Sequence, residues 1–380
     1  MIIEQFLKWV DSARAAEREA AASSLARAYL QSPLEFDERC AAEAALTSLL
    51  DDPSPNVRLA LAEALSNSHL APLHIIAALA ADQPEIAGRV IVRSPLLSDT
   101  DLIDRVALGS EEVQCAIAMR PQLSGALCAA IAEVACIQAC EVMLRNDGAR
   151  IVSLSLRRLV ERFGDDAKMR ELLLSDSRLP SDGRHALVVK VGEALRGMGL
   201  VKALIGPQRA ERITRDACVR ACLDLVEESP VNEHPALVEH LRLSGELTTS
   251  FVLRVLVHGK IGFFATILAA LSAQDETRIK AQLANGRASI LMALFRKSGL
   301  TDTVSTVLMR GLDCWREVAN GKLQAGPQEI ARLMLQHFGA AETTPAFAHG
   351  NDDLVALIRS IYLETIRENG RKHADAIKAA

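Results

Sequence analysis

Cysteine pairs are the first feature of this sequence that could do chemistry. Cys136 and Cys140 lie four residues apart, as do Cys218 and Cys222, so in a helix each pair places two sulfur atoms on one face. Four thiolates can hold zinc tetrahedrally if the two helices meet. Structural zinc sites, however, usually take cysteines from turns, and the apolar residues that flank these pairs are typical of a core. We therefore expect core packing, with zinc as the alternative.

Two acid–imidazole pairs are the second candidate. Glu233-His234 and Glu239-His240 are six residues apart, and helical-repeat hydroxylases bind iron through such side chains. Pro235 separates the first pair from the helix that follows, and the six-residue spacing directs the two histidines to different helical faces. We expect neither pair to bind a metal. The sequence predicts no metal and no organic cofactor.

Motifs of the commonest enzymes do not occur in the sequence. It contains no phosphate-binding loop of the GxxxxGK[ST] type, no GxSxG nucleophile elbow, no HExxH zinc pair and no EF-hand loop. The glycines at 192–199 follow a helical pattern and not a strand, so they indicate a helix end. We assign no catalytic residue, and a non-enzymatic role is the favoured interpretation.

Arginine is the most unusual component of the chain. There are 33 arginines and 10 lysines, although the formal net charge is −5. Guanidinium groups bind carboxylates and phosphates through paired hydrogen bonds, so we predict a surface for an acidic or phosphorylated protein partner. Its predicted residues are Arg58, Arg93, Arg120, Arg209, Arg212 and Arg215. The alternative is ion pairing between neighbouring repeats, with Arg58 and Asp52 as the obvious pair.

Composition limits the classes of partner and compartment. A pI near 6.0 and an aromatic content of 3% argue against a nucleic-acid-binding groove with stacking side chains. The first residues, MIIEQF, lack the basic start of a signal peptide, and the longest strongly apolar run, 70–81, is too short to cross a bilayer. Eight cysteines without a signal peptide favour reduced thiols. We expect a cytoplasmic protein without a membrane partner.

Helical periodicity dominates the chain, and in the first half it repeats. The run LLDDPSPNVR at 49–58 predicts a helix, a tight turn and a second helix that Asn56 can cap. Similar turns follow at intervals of 27 to 29 residues, with apolar residues in register. These residues are Leu61, Val90, Ile117 and Leu144. The stretch resembles HEAT-like repeats, which implies an all-α fold of stacked helix pairs, an α-solenoid.

Glycine and proline mark the domain boundaries. The segment 197–207 contains glycines and ends in a proline, which is typical of a boundary. We predict HEAT-like repeats over 1–200, a C-terminal helical domain over 201–340, and a linker with a terminal amphipathic helix over 341–380. In the second domain, Arg296 to Gly299 read as a helix end, with cations in the last turn and glycine after it.

A second resemblance lies in the C-terminal half. The chain is similar to an uncharacterised, mainly alphaproteobacterial family, the domain of unknown function twenty-three thirty-six, over roughly residues 45–340. The resemblance rests on HLR at 240–242, GELT at 245–248, LR at 253–254, HGK at 258–260, FF at 263–264 and LFRKSGL at 294–300. The resemblance implies an all-helical fold and brings no activity or catalytic residue with it.

Stacked helix pairs expose an extended surface, and such surfaces usually bind proteins. We therefore expect a non-enzymatic adaptor or scaffold that binds a protein partner. The alternative is a HEAT-like enzyme that acts on nucleic acid or depends on a metal. A base-excision glycosylase of that kind needs a cationic cleft with aromatic side chains, and this chain has only two Trp and two Tyr.

Overall fold

The computed structural model describes residues 8–10, 12–339 and 352–379. These residues form α-helices joined by short turns, and their only β pairing is a single bridge between Leu123 and Ala149. The predicted all-α fold is confirmed. The chain divides into two compact units, Met1–Gly183 and Arg184–Ala380, whereas the sequence places the boundary after residue 200. The predicted linker at 339–351 lies outside the described residues except for Gly339, which ends a helix.

The first unit is built from short helices, and its boundary at Gly183 falls inside the last helix listed here, α12. They are α1 Ala15–Gln31, α2 Phe36–Ser48, α3 Pro55–Leu65, α4 Leu73–Leu79, α5 Pro84–Arg93, α6 Asp99–Leu108, α7 Glu111–Ala118, α8 Gly125–Val134, α9 Ile137–Leu144, α10 Ser153–Phe163, α11 Ala167–Ser175 and α12 Ser181–Gly197. Pro55 and Pro84 occupy first helical positions, where a missing N–H costs nothing. The predicted cap Asn56 is wrong, because α3 starts one residue earlier and Ser54 is its N-cap.

Two series of helices stack in this unit. In one series α3, α5, α7 and α9 pack successively against one another, and in the other α6, α8 and α10 do so. Leu61, Val90 and Ile117 are fully buried in the first series, and Leu144 is 9% exposed. The stacked helix pairs and their repeating apolar register are therefore confirmed. Each pair completes its core only against its neighbours, as in other repeat folds.

The second unit contains longer helices. After α12 come α13 Gly199–Ile205, α14 Pro207–Glu228, α15 His234–Leu243, α16 Thr249–Val257, α17 Ile261–Ser272, α18 Glu276–Asn285, α19 Ala288–Lys297, α20 Asp302–Ala319, α21 Pro327–Gly339 and α22 Asp352–Ala379. The predicted end of α19 is confirmed, since the helix stops at Lys297 and Gly299 takes a φ of 79°. None of the helices in the described ranges is long and apolar enough to cross a bilayer.

Helices α16 and α17 form the centre of this unit. Every residue from 251 to 257 is buried, which is the pattern of a helix surrounded by others. Phe263 and Phe264 of α17 are at most 1% exposed. Arg254 is the buried charge of α16, and its guanidinium pairs with the Glu364 carboxylate of α22. This buried ion pair ties the terminal helix to the centre of the unit.

Candidate functional site

Arg58 bonds within the helical stack. Its Nε donates to Asp82 Oδ2 at 2.6 Å, and its Nη1 donates to the Asp52 carbonyl oxygen at 2.6 Å. The Asp52 carboxylate pairs with Arg18 instead, at 2.6 Å between Nε and Oδ2, and this bond lowers the pKa of Asp52. The predicted side-chain pair of Arg58 with Asp52 is therefore wrong. Both arginines pair with the aspartate of a later turn, which follows Arg18 by 34 residues and Arg58 by 24.

Arg120 is partly buried and points at the end of α5. Its Nη2 donates to the Ser94 carbonyl oxygen at 2.9 Å, and its Nη1 donates to the Ile91 carbonyl oxygen. Carbonyl groups at a helix C-terminus lack partners within their own helix, so a cation there satisfies hydrogen bonds and complements the helix dipole. We call the residues that make this type of contact the capping arginines: Arg105 to Ala80, Arg120 to Ile91 and Ser94, Arg162 to Ala132 and Ala135, and Arg316 to Gln282, Leu283 and Gly286.

The other predicted partner-binding arginines are exposed. Arg93 ends α5 with its side chain on the surface, although it is 27 residues before Arg120. Arg209, Arg212 and Arg215 are exposed on α14, and Arg215 donates to Glu211 at 2.9 Å. Within the first unit, Arg93 is exposed whereas Arg58 and Arg120 are bonded inside the stack, so these three do not share one exposed ridge. The guanidinium groups of Arg58 and Arg120 are occupied by bonds inside the chain.

Residues 195–215 form what we call the apolar–basic surface. Helix α13 has no buried residue, and Leu200 and Leu204 are 72% and 73% exposed. Further exposed apolar side chains in the segment are Leu195, Met198, Ile205 and Ile213. The segment also carries five exposed bases, namely Arg196, Lys202, Arg209, Arg212 and Arg215, and one acid, Glu211. Its net charge of +4 contrasts with −5 for the whole chain.

The cysteines of the two candidate pairs differ in burial, because Cys136 and Cys218 are only half-buried. Cys128, Cys140 and Cys222 are fully buried, and burial raises the pKa of Cys140 and of Cys222 to about 12. A buried thiol with a raised pKa is inert compared with a catalytic one. Within the described part of the chain, none of the cysteines belongs to a group of three potential metal ligands. The core interpretation therefore agrees with Cys140 and Cys222, the buried member of each pair.

The histidines of the two acid–imidazole pairs have different neighbours. His234 is buried, and its ring meets the Phe263 ring edge-on with centroids 5.2 Å apart. His240 faces a third histidine, His185, at a centroid distance of 5.4 Å. The predicted divergence of His234 and His240 is thus confirmed. His185, however, was not among the sequence candidates.

His185, His240 and Glu246 form a compact group of potential metal ligands. One ligand atom from each residue lies within 4.8 Å of the other two. His185 is 2% exposed, and its Nδ1 has no hydrogen-bond partner among the described residues. Glu246 Oε2 lies 3.6 Å from this nitrogen. Burial, assisted by the neighbouring His240, lowers the pKa of His185 to about 4, so its imidazole is neutral at pH 7.

The turn after α15 brings Glu246 beside His240. The N–H of Glu246 donates to the Leu241 carbonyl at 2.9 Å, and the N–H of Gly245 donates to the Arg242 carbonyl at 3.3 Å. These two bonds form a Schellman motif, which needs a left-handed residue after the helix. Gly245 supplies it with a φ of 73°. The chain therefore turns back along the last turn of α15, where His240 lies.

A cavity of about 550 Å³ opens beside this group. Its wall includes His185 and Glu246 together with Cys218, Thr248 and Arg254. Small-molecule sites fall in this range of volume and combine apolar walls with a few polar groups. The cavity thus leaves space for water or a small ligand next to His185 and Glu246.

Only part of this group could be found from the sequence. His240 and Glu246 are six residues apart with Gly245 between them, and glycine after a helix predicts the turn that joins them. His185 precedes them by 55 and 61 residues, and no spacing rule links positions so far apart.

Comparison with known proteins identifies a family for this chain. No curated protein matches the chain, and no solved structure does so. A family described as "Uncharacterised protein conserved in bacteria (DUF2336)" matches residues 86–346, more than half of the chain. This match confirms the resemblance found in the sequence. The chain belongs to the bacterial family DUF2336.

Proposed function

We propose that the protein is a non-enzymatic helical-repeat adaptor that docks a protein partner on its apolar–basic surface. The partner segment that fits this surface is an amphipathic helix with acidic residues beside its apolar face. One observation carries the proposal: in α13 Leu200 and Leu204 are about three-quarters exposed, and none of the residues of this helix is buried. An apolar helix without a buried face is unusual in a folded domain, where most helices are stabilised by packing.

The apolar side chains supply the driving force. Burying a leucine or isoleucine side chain stabilises by about 1.5–3 kcal/mol. Leu200, Leu204 and Ile205 together therefore offer a gross gain on the order of 5 kcal/mol to a partner that covers them. Contiguous exposed apolar residues rimmed by polar ones mark interaction sites. The apolar–basic surface fits that description.

The charges select the kind of partner. Five bases against one acid give this surface a positive field in a chain that is negative overall. Arg209 and Arg212 are exposed at its border, where a guanidinium can hold a carboxylate with two hydrogen bonds. An acidic segment is therefore steered to the surface and oriented on it. Nucleic acid fits less well, because stacking aromatics are missing from residues 195–215.

We propose that the adaptor acts in the cytoplasm. All eight cysteines are free thiols. Free thiols are usual in reducing compartments, where disulfides are rare. A cytoplasmic adaptor is consistent with this state of the cysteines.

A photo-crosslinking amino acid at position 204, introduced into the full chain in the native bacterium, tests the proposal. We expect a crosslink to a protein segment that carries apolar residues at helical spacing and flanking acids. The double variant Leu200→Glu with Leu204→Glu should lose this crosslink partner in pull-down without unfolding, because both side chains are exposed. The matched control is Leu108→Glu with Leu154→Glu, since these leucines are 89% and 72% exposed in the first unit.

Three outcomes would contradict the proposal. Crosslinks to lipid, with binding of the chain to anionic vesicles, would make the surface a membrane contact. Crosslinks to a second copy of the chain would make it a self-association surface. Equal capture of a partner by the Leu200/Leu204 variant and by the control would move the site elsewhere.

A further inference from the structure

We propose that His185, His240 and Glu246 bind one divalent transition-metal ion, with the open coordination position facing the adjacent cavity. Two imidazoles and one carboxylate are the ligand set of several zinc sites and of non-haem iron sites. In such sites three protein ligands hold the ion and leave room for water or another ligand. The present group has the same composition.

The distances suit such an ion. Zinc–ligand bonds of about 2.0–2.1 Å place the ligand atoms of a tetrahedral site roughly 3.3 Å apart. His185 Nδ1 and Glu246 Oε2 are 3.6 Å apart, and no pair in the group exceeds 4.8 Å. His240 and Glu246 are both partly exposed, so their side chains can rotate to close the remaining gap. The buried His185, anchored in α12, needs the least movement.

The buried nitrogen of His185 is the second observation. A buried polar atom without a partner costs on the order of 1–3 kcal/mol, so native proteins rarely leave one. His185 Nδ1 is such an atom, and it faces Glu246 at a distance too long for a hydrogen bond. A metal between these two atoms would satisfy both.

An ion pair between a protonated His185 and Glu246 is the competing explanation. It requires an imidazolium in a buried position next to another histidine. The 3.6 Å between His185 Nδ1 and Glu246 Oε2 is too long for the hydrogen bond that a buried ion pair needs. Neutral imidazole is the form that binds metals.

The surroundings can support a bound ion. Ser244 Oγ donates to Glu246 Oε2 at 3.2 Å, which orients the carboxylate as outer-shell hydrogen bonds do in metal sites. His185 and Glu246 line the cavity of about 550 Å³, so an ion beside them has access to water and small ligands. This inference does not depend on the adaptor function, because the apolar–basic surface contributes none of the three ligands.

Titration of the full chain with Zn²⁺ tests the inference. The protein is purified without a histidine tag, stripped with a chelator and titrated by calorimetry, with stoichiometry checked by elemental analysis. We expect one Zn²⁺ per chain, weaker binding of Co²⁺ and anaerobic Fe²⁺ to the same site, and no displacement of Zn²⁺ by a hundredfold excess of Mg²⁺, which prefers oxygen ligands. The Co²⁺ form should lack the sulfur charge-transfer band of a thiolate site.

Substitutions locate the ion. His240→Ala and Glu246→Gln change partly exposed residues, and each should weaken Zn²⁺ binding at least tenfold while the circular dichroism spectrum stays unchanged. The first control is His74→Ala, because His74 lies on the surface with Nδ1 3.5 Å from Glu43 Oε1 and so resembles the site without its burial. The second is Cys218→Ser, which removes the thiol that lines the cavity. Both controls should bind Zn²⁺ as the unmodified chain does.

Either of two results would overturn the inference. One is the absence of stoichiometric binding of Zn²⁺, Co²⁺ and Fe²⁺ to the unmodified chain. The other is unchanged Zn²⁺ affinity in both His240→Ala and Glu246→Gln.

Discussion

Replacing the partly buried Arg120 by alanine should destabilise the first unit. The guanidinium of Arg120 donates to the carbonyl oxygens of Ile91 and Ser94 at the end of α5. These carbonyls have no partner in their own helix, and Ile91 and Ser94 are both fully buried. The substitution therefore removes two hydrogen bonds and a favourable charge at the helix C-terminus.

The magnitude follows from these contacts. A hydrogen bond that involves a charged group contributes about 1.5–3 kcal/mol when its partner is left buried and unpaired. The side chain is only partly buried, so water can replace some of the loss, and we expect the free energy of unfolding to fall by about 2–3 kcal/mol. That amount is a large fraction of the 5–15 kcal/mol typical of a domain.

Urea denaturation followed by circular dichroism measures this change. Arg93→Ala is the matched control, because Arg93 is exposed at the end of α5, and its free energy of unfolding should stay within about 0.5 kcal/mol of the unmodified chain. Arg120→Lys should fall between the two, since an ammonium lacks the forked geometry that reaches both carbonyls. Equal stability of Arg120→Ala and Arg93→Ala would refute the reasoning.

Two further predictions concern single contacts. Asp52→Asn should lower the free energy of unfolding by about 1–2 kcal/mol near neutral pH. Arg18 holds the folded pKa of Asp52 below its usual value of 3.8, so the difference in the free energy of unfolding between the variant and the unmodified chain should shrink as the pH falls below 3.8. Denaturation at several pH values measures this difference, and a constant difference would contradict the role of Arg18. Gly259→Ala should destabilise more than Gly299→Ala: both glycines have φ above 70°, and only at Gly259 would the new Cβ lie 2.8 Å from Trp315. Equal melting temperatures of the two variants would contradict this clash.

The helices and their buried faces could be predicted from local patterns. Leu61 and Val90 follow turns that proline and aspartate mark in the sequence, and a helix with an apolar stripe must bury it. The contacts between repeats could not be predicted in this way. Arg58 is close to Asp52 in the sequence, yet in the stacked repeats its side chain pairs with the Asp82 carboxylate. That register depends on how the helices pack, which no local pattern specifies.

The candidate metal group shows the same limit. The turn at Gly245 is a local signal that brings His240 and Glu246 together. His185 joins them only through the packing of α12, in contact with residues that follow it by more than 50 positions. Local reasoning could therefore find two ligands and not the buried third. Two ligands alone do not indicate a metal site.

The capping arginines give the stack a direction during synthesis. Each one follows the carbonyl groups that it binds by 25 to 34 residues, as in Arg105 with Ala80 and Arg316 with Gln282. At about 5–20 residues per second, the ribosome therefore needs about 1–7 s after a helix ends to synthesise the arginine that caps it. A truncation from the N-terminus removes the carbonyl groups first and leaves an arginine that water can hydrate. A truncation from the C-terminus removes the arginine first and leaves the carbonyl groups at the helix end without a partner. Interrupted translation products of this protein should thus fray at their most recently made repeat and remain folded behind it.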